Sequence, residues 1–546
     1  MIFLTTLLLS VFITIALIPV LGRLAINFQF VDIPDERKVH LQPVPRIGGI
    51  AMVAGAFVPL MYWLHAEPFV IAWLAGAAVI ALFGAVDDLR TLGPKTKFAG
   101  QIAAALIMIF YGGLKIRTLG MLLPDGFILP DGIAVPLTLI AIVGVTNAIN
   151  LADGLDGLAG GICLLIFSSI GYLAYMEGDA PIGFIALALG GAIFGFLKFN
   201  TFPASIFMGD TGSQFLGFSA ITLALDLTQG NTALSPLMPL LLLGLPVLDT
   251  VFVMSARLKR GTSPFVADRN HFHHRLLNLG LHHTESVLVI YVLQTILIVS
   301  AYAFRFYPEV PLLAGYLIFS IAVLYLSTHA DRIGLHIRRY GWFDLVIKKN
   351  LRRLRDEGII IKHAFRFFEV GMPALLLFTC FVPVAVPRYV AGVALVFIVM
   401  ICAVWQFKRE KLAALLRLVL YMSIPFIVYL GESKSAAWME GAPTSVYNLS
   451  FAIFTVLIIV ISKFSRRKRG FKSTPMDFLI LFLAIIFPSM PDQNVSEYHM
   501  GLMAAKIIIF YFCYEVILAE LRGKLNKVTA ATLAALAVMA VKGFVG

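Results

Sequence analysis

A long succession of apolar runs constrains this chain more than any other feature of its sequence. Hydrophobic stretches recur from residue 3 to residue 545, and 60% of the 546 residues are hydrophobic. A helix that crosses a bilayer needs about 20 mostly apolar residues, so the chain has enough for many crossings. Only 14% of the residues are charged, whereas soluble domains carry about 25%. This composition excludes a soluble globular protein, a disordered chain and a small disulfide scaffold.

The runs predict an all-α polytopic integral membrane protein with about 18 transmembrane helices. A long apolar segment in lipid forms a helix, because only then are its backbone hydrogen bonds made within the segment. The predicted spans of the front part are 3–22, 47–64, 68–86, 98–114, 133–152, 158–176, 181–199, 214–230, 235–256, 286–304 and 310–328. Seven more are predicted at 367–384, 388–406, 412–430, 446–462, 475–490, 501–519 and 528–545.

The basic residues predict the orientation of the spans. No basic residue precedes the first run, 2–26, and no small-residue cleavage site follows it, which favours an uncleaved first span with the N-terminus outside. That orientation places 36 of the 43 Lys and Arg residues in cytoplasmic connections and five outside, as the positive-inside rule requires. The basic surplus therefore does not indicate nucleic acid, because cytoplasmic connections of a membrane protein account for it.

One basic segment divides the chain. Residues 329–366 hold ten Lys and Arg residues interleaved with large apolar ones, which indicates an amphipathic helix on the membrane surface, with a solvated linker as the alternative. We expect an eleven-span domain at 1–330, a basic amphipathic cytoplasmic linker at 331–366, and a seven-span C-terminal extension of unknown role at 367–546.

The scarce acidic residues gather on the predicted cytoplasmic side. Clusters that contain them lie in four polar, mostly glycine-rich segments at 84–97, 147–161, 199–214 and 263–277. Carboxylate and asparagine oxygens suit Mg²⁺, which uses few protein ligands together with substrate phosphates. Glycines allow close backbone approach to an anion, and Lys, Arg and His neutralise phosphate oxygens. These groups are typical of a metal-assisted phosphoryl-transfer site.

Other interpretations stay open at this point. Asp87 and Asp88 are also compatible with a charge pair that anchors a helix end. The HFHH segment at 271–274 is compatible with zinc or with a plain loop. Asp249, inside a predicted span, is as compatible with a structural partner as with catalysis.

Five segments, taken together, resemble one family. PDERKVHLQPVPRIGG (34–49), the Asp87–Asp88 pair, NAINLADGLDGLAGG (147–161), FMGDTGS (207–213) and HFHHR (271–275) occur in the order found in the polyprenyl-phosphate N-acetylhexosamine-1-phosphate transferases. The resemblance covers about residues 30–285, and about 328 by span count. The seven-span tail departs from the family pattern.

The resemblance implies a reaction and its partners. A UDP-N-acetylhexosamine, with GlcNAc favoured, would react with undecaprenyl phosphate at the cytoplasmic face, releasing UMP and starting a lipid-linked cell-surface glycan, with Mg²⁺ or Mn²⁺ as cofactor. The resemblance leaves open a homodimer, the sugar and the pathway. The alternatives are a lipid-linked glycan transporter or flippase and a phospho-MurNAc-pentapeptide transferase, although the compact HFHH loop favours the HexNAc-1-phosphate branch.

The resemblance also assigns roles by position. Asp210 matches the metal ligand, with help from Asn150. Asp87 matches an acid proposed as base or nucleophile, with base as the hypothesis taken here and Asp88 as its partner, and His273 is the third catalytic candidate. The substrate-binding candidates are Arg46, Gly48, Gly49, Lys97, Asn147, Asp153, Asp156, His271, His274 and Arg275.

Overall fold

α-Helices form nearly all of the regular structure in the described part of the chain, as the apolar runs predict. The structure is a computed structural model, and the chain divides into two units, Met1–Arg339 and Tyr340–Gly546, each described here by itself. The described residues are 2–27, 31–32, 43–64, 67–90, 92–124, 126–230, 232–263, 271–329, 359–407, 409–433, 435–464, 500–520 and 525–545.

The first unit is a helical bundle with one short β-ladder. Strands β1 (Val31–Asp32) and β2 (Val44–Pro45) pair antiparallel. The helices are α1 (Ile2–Asn27), α2 (Gly48–Trp63), α3 (Pro68–Leu89), α4 (Pro94–Leu106), α5 (Asp131–Ala152), α6 (Leu158–Glu177), α7 (Ala180–Asn200), α8 (Gly209–Gln229), α9 (Met238–Leu242), α10 (Gly244–Lys259), α11 (Phe272–Asn278), α12 (His283–Ala303) and α13 (Glu309–His329).

The second unit contains six described α-helices. These are α14 (Ile359–Phe381), α15 (Arg388–Phe407), α16 (Leu412–Ser433), α17 (Ala442–Phe464), α18 (Met500–Glu520) and α19 (Asn526–Val545).

Ten helices in the described residues are long and apolar enough to cross a membrane, judged by length and composition. They are Thr5–Asn27, Pro68–Leu89, Asp131–Ala152, Leu158–Glu177, Ala180–Asn200, His283–Ala303, Glu309–His329, Arg388–Phe407, Arg409–Ser433 and Asn526–Phe544. This finding supports a multi-pass membrane protein. Described helices also lie at the other predicted spans, except that 475–490 falls outside the described residues, as does most of the predicted linker. The total of about 18, the orientation and the domain boundaries stay predictions.

Helix α8 lies inside the first unit, packed against α2, α3, α5 and α6. It is less apolar than its neighbours, because Ser, Thr and Gln occur along its whole length. These polar groups are satisfied locally where a hydroxyl bonds the carbonyl one turn earlier, as in Thr222 to Phe218 and Thr228 to Ala224. A polar helix surrounded by apolar ones can carry functional side chains at its end without exposing them to lipid.

The core of the second unit includes a buried ion pair. Lys506 on α18 is 1% exposed, and its Nζ lies 2.5 Å from Oε1 of Glu432 on α16. The same ammonium lies 4.2 Å from the ring centroid of Tyr447 on α17. These contacts provide the Lys506 charge with the partners that a buried cation requires.

Candidate active site

The last turn of α3 caps the first turn of α8 through Asp88. Its Oδ1 accepts the backbone N–H of Asp210 at 2.8 Å, and its Oδ2 accepts the N–H of Thr211 at 3.0 Å and the hydroxyl of Thr211 at 2.6 Å. The first N–H groups of a helix lack intrahelical partners and attract a negative charge. Gly209 has φ +68°, and a Cβ there would come 2.5 Å from Asp88 Oδ2. Glycine at 209 therefore lets this carboxylate orient Asp210.

Lys97, near the start of α4, joins two carboxylates from different helices. Its Nζ lies 2.5 Å from Asp87 Oδ2 and 2.7 Å from Asp210 Oδ2. The other oxygen of Asp87 accepts the N–H of Leu92 at 2.6 Å. The Asp87 side chain is 6% exposed, whereas those of Asp210 and Lys97 are 27% and 33% exposed. The ammonium compensates two adjacent negative charges, and the accessible part of this cluster is Asp210 with Lys97.

A buried amide network supports Asp210. Asn147 Nδ2 donates to Gln101 Oε1 at 2.6 Å, Gln101 Nε2 donates to Gln214 Oε1 at 3.0 Å, and Gln214 Nε2 approaches Asp210 Oδ2 at 3.4 Å. The sequence interpretation missed both glutamines. Each lies four residues after a predicted site residue, Lys97 or Asp210, and so shares its helix face, which is the signal that could have identified it.

Asn150, on the last turn of α5, contacts Asp210, and its predicted role as a metal ligand stays a prediction. Its Nδ2 donates to Asp210 Oδ1 at 3.1 Å and to Ser213 Oγ at 2.7 Å. Ser213 in turn donates to the carbonyl of Gly209 at 3.0 Å. Helices α5 and α8 are thus joined at the residues that the family resemblance pairs.

The loop between α5 and α6 is held by polar side chains from the loop itself and from the end of α7. Asp156 Oδ2 accepts the N–H of Ala204 at 2.9 Å. Asn200, 2% exposed, accepts the N–H of Gly157 at 2.9 Å and donates to the carbonyl of Ile206 at 2.9 Å. The Asp156 carboxylate therefore has a structural partner in addition to its predicted role in binding substrate, and Asn200 is a supporting residue that the sequence interpretation missed.

Asp153, in the same loop, lies among other acids. Removal from water raises the pKa of Asp153 to about 7, helped by the negative charges of Asp210, Asp156 and Asp88 and opposed by Arg46. A carboxyl group whose charge is disfavoured by neighbouring carboxylates indicates a site that would accept additional positive charge.

The PRIGG segment joins the start of α8 through its backbone. The N–H groups of Gly48 and Gly49 donate to the carbonyls of Phe207 and Met208, each at 2.9 Å. Arg46 is exposed beside this junction. The two glycines therefore hold the FMGDTG segment in place, and their predicted substrate contact stays a prediction.

The histidine loop, residues 271–275, is anchored by Asp249 of α10. His271 Nδ1 donates to Asp249 Oδ2 at 2.9 Å, and the N–H of Phe272 donates to Asp249 Oδ1 at 2.7 Å. The rings of His271 and His273 are nearly parallel, with 5.8 Å between centroids, and both side chains are buried. The structure therefore supplies Asp249 with the partners that the sequence left open.

Arg275 is packed between helices. One guanidinium nitrogen donates to Ser327 Oγ at 3.0 Å, another lies 3.3 Å from Asp249 Oδ1, and the group lies 4.3 Å from the ring centroid of Phe252. The side chain is only 11% exposed. These contacts connect α10, α11 and α13, and the predicted role of Arg275 in binding substrate stays a prediction.

His273 connects the histidine loop to the loop after α5. A Cβ at Gly154 would come 2.3 Å from His273 Nε2, so the ring lies directly on that glycine. Burial and the neighbouring His274 lower the pKa of His273 to about 3, which keeps the imidazole neutral near pH 7. The ring of His274 is 4.3 Å from that of His273, centroid to centroid.

The oxygen donors of the site suit a divalent cation. Among the described residues, no group of three His, Cys, Asp or Glu side chains is arranged to hold a metal ion. Mg²⁺ does not require one, since it is usually held by one or two carboxylates and by substrate phosphates. The hard oxygen donors of Asp210 and Asp87, with Asn150 adjacent, fit that requirement. Lys97 lies between the two carboxylates in this structure.

The model of Glycosyl transferase family 4 matches residues 70–228. This range begins in α3 and ends in α8, so it contains Asp87, Lys97 and Asp210.

Three curated relatives are similar over most of their own length. A Bacillus subtilis (strain 168) protein, named a probable undecaprenyl-phosphate N-acetylglucosaminyl 1-phosphate transferase, is 36% identical over 337 residues, or 61% of this chain and 93% of its own. An Escherichia coli (strain K12) protein named undecaprenyl-phosphate alpha-N-acetylglucosaminyl 1-phosphate transferase is 30% identical over 342 residues, 61% of this chain and 91% of its own. A Salmonella typhimurium protein of the same name is 31% identical over 360 residues, 64% of this chain and 96% of its own.

Proposed function

This chain belongs to the family of undecaprenyl-phosphate N-acetylglucosaminyl 1-phosphate transferases, and from that premise we propose the reaction in full. The protein transfers N-acetylglucosamine 1-phosphate from UDP-N-acetylglucosamine to undecaprenyl phosphate, releases UMP and starts a lipid-linked cell-surface glycan. The supporting observation is the Asp87–Lys97–Asp210 cluster, in which helix ends bring two carboxylates to one ammonium.

The bond changes define what the site has to do. An oxygen of the lipid phosphate bonds to the phosphorus that carries the sugar, and the bond from that phosphorus to the UMP oxygen breaks, the electron pair leaving on UMP. A phosphate monoester is mostly ionised at pH 7, because its second pKa is about 6. Positioning and charge neutralisation therefore matter more than a strong base.

The residues divide these tasks. Lys97, partly exposed, can turn to phosphate oxygens, and Asp87 beside it is the candidate to hold or accept a proton at Oδ2. Asp88 is used differently from its neighbour, because it contacts the backbone of Asp210 and Thr211. We assign Asp88 to orienting Asp210. His273 is neutral near pH 7 and can donate or accept one hydrogen bond.

A divalent cation completes the proposal. Asp210 would hold it, with Asp87 and Asn150 adjacent and with substrate phosphates as further ligands. When bound, Mg²⁺ or Mn²⁺ supplies charge stabilisation to the transferring phosphoryl group. We also propose an N-terminus outside and a cytoplasmic active site, both supported by the distribution of basic residues. A bacterial inner-membrane location is proposed from the family and the apolar helices. A homodimer stays open to measurement.

The experiment uses the full-length protein in detergent. UMP release from UDP-N-acetylglucosamine is measured with and without undecaprenyl phosphate, MgCl₂ and EDTA, and the lipid product is identified by mass. We expect release only when lipid phosphate and divalent metal are both present. UMP release without lipid phosphate, or full activity in EDTA, would contradict the proposal.

A donor panel separates the alternatives. UDP-MurNAc-pentapeptide in place of UDP-N-acetylglucosamine tests the phospho-MurNAc-pentapeptide reaction, and the other UDP-N-acetylhexosamines test the sugar. We expect the N-acetylglucosamine product to exceed the others by at least about tenfold, the ratio that a difference of about 1.4 kcal/mol in binding produces. Faster transfer from the pentapeptide donor would move the chain to that branch.

A further inference from the structure

The proposed reaction gives Asp249 no task, yet three donors of the histidine loop converge on its carboxylate. His271 Nδ1 and the N–H of Phe272 lie 2.9 Å and 2.7 Å from its oxygens, and Arg275 Nη2 lies at 3.3 Å. Its side chain is 13% exposed and lies six positions into α10. A carboxylate held inside a helical bundle is stable only when such donors satisfy it.

The contact with His271 determines which ring nitrogen is available. An ionised carboxylate can only accept, so Nδ1 of His271 carries the hydrogen that lies between them. Nε2 is then the ring atom left for other partners, in the neutral and in the protonated ring alike. Carboxylates that hold an imidazole in this way set its tautomer and its orientation.

The contact between Asp249 and the N–H of Phe272 holds the start of α11. Phe272 is the first residue of α11, and its N–H has no intrahelical partner. By accepting it, Asp249 holds the start of α11 beside α10. One carboxylate therefore orients the His271 ring and positions the turn that carries His273, and the two rings lie within 5° of parallel.

We infer that Asp249 is a positioning residue for the transferase site. It acts through His271, holding Nδ1 so that Nε2 faces the substrate. The inference rests on the proposed function for its kinetic consequence, while its geometric consequence can be measured without activity.

The kinetic test is a double-mutant cycle of UMP release in the full-length protein. We expect Asp249→Asn to lower kcat about 10- to 100-fold, as loss of an orienting carboxylate does elsewhere. The amide can donate to Nδ1 and so place the ring hydrogen on Nε2. In a His271→Gln background the same substitution should change kcat less than about twofold. Independent, multiplying losses would overturn the inference.

A matched control removes the structural contact alone. Ser327→Ala takes away the other hydrogen-bond partner of Arg275 and leaves Asp249 and His271 in place. We expect its kcat to stay within about twofold of wild type, since Ser327 does not contact Asp249 or His271 and loss of one hydrogen bond there leaves their geometry in place. A loss equal to that of Asp249→Asn would show that packing of α11 and α13 explains the effect.

The geometric test follows carbethoxylation of His271 by diethyl pyrocarbonate, read by mass spectrometry. His271 is 5% exposed and tethered, so it should react slowly in wild type and several-fold faster in Asp249→Asn, while the partly exposed His329 serves as reference. An unchanged rate would overturn the inference even if the proposed function failed. Where Asp249→Asn does not fold, Asp249→Glu replaces it in both tests, since it keeps the charge and displaces the oxygen that His271 contacts.

Discussion

Lys97 Nζ lies 2.7 Å from Asp210 Oδ2, although the two residues are 113 positions apart in the chain. This ion pair joins the start of α4 to the start of α8. Asp87 shares the same ammonium, so three helices meet at one charged point. The site therefore depends on helix packing for its electrostatics as well as for its shape.

Replacing Asp210 by Asn should abolish transfer while the protein still folds. The amide keeps the size of the side chain but removes the charge that Lys97 contacts and that the proposed divalent cation would need. We expect kcat to fall by at least about 10³-fold, in the range that loss of a main electrostatic group produces. UMP release and size-exclusion profiles measure the two quantities.

The control for this variant is Asp131→Asn. Asp131 is an exposed carboxylate paired with Lys115 and Arg117, and it lies at the other end of α5 from Asn150. We expect its activity within about twofold of wild type, because exposed ion pairs contribute little. Near wild-type activity of Asp210→Asn would refute the metal assignment.

A methyl group at Gly154 should displace His273. The added Cβ would lie 2.3 Å from Nε2, a distance that real contacts do not show, so the ring has to move. We expect Gly154→Ala to lower kcat about 10- to 100-fold, since a displacement of about 1 Å in a site can have that effect. UMP release under saturating substrates measures the change.

Gly144→Ala is the matched substitution on α5. Its Cβ would meet nothing within 4 Å, and alanine favours a helix by about 0.5–1 kcal/mol over glycine. We expect unchanged activity and equal or higher thermal stability. Equal kcat values for the two alanine variants would show that the contact between Gly154 and His273 does not affect activity.

Asp153 should make stability depend on pH. Its pKa in the folded state is raised to about 7, against an ordinary value of 3.8, so between these values the folded state binds more protons than the unfolded state. Stability of the wild type therefore falls as pH rises through this window. Asp153→Asn, which lacks the titrating group, should unfold at a higher temperature than wild type at pH 8.5, and the difference should shrink toward pH 5.

Thermal unfolding in EDTA at both pH values measures this difference, since a bound cation would offset the effect. Each kcal/mol corresponds to about 2–4 °C in a domain of 150–250 residues, and to less in a larger unit. A variant that is less stable than wild type at pH 8.5, or a difference that grows toward pH 5, would show that Asp153 is stabilised as the carboxylate.

Removing one partner of its buried ion pair should destabilise the second unit. Lys506→Met leaves Glu432 buried without its partner, which we expect to destabilise the unit by about 3–5 kcal/mol. The double variant Lys506→Met, Glu432→Leu removes both charges and should recover most of that loss. Thermal unfolding and limited proteolysis compare the three proteins, and a double variant worse than the single one would indicate that the pair itself is required.

Much of the fold follows from local sequence properties. Apolar runs of spanning length predict helices wherever they occur, and described helices lie at those places. The run at 235–256 was predicted as one span, whereas the structure has α9 and α10 separated at Leu243. Pro239 and Gly244 mark this break, but run length alone does not reveal it.

The candidate site was predictable as a set of groups and less so as a set of roles. Asp87 and Asp88 are adjacent in sequence and equal in chemistry, yet one contacts Lys97 and the other caps α8. Successive residues on a helix point in directions about 100° apart, and only the packing of α3 decides what each one meets. Arg275 is similar, since its position in HFHHR does not reveal the contact with Ser327.

The sequence by itself determined that this chain is a helical membrane protein, and its ordered motifs identified the family and the chemical groups. These are local properties, because the length of an apolar run and the identity of a side chain need no knowledge of distant residues. Only the tertiary structure decided which donor meets which acceptor: Lys97 with Asp210, Asp88 with the start of α8, and Asp249 with His271. Each of these contacts joins separate helices, and such contacts depend on how the whole bundle packs.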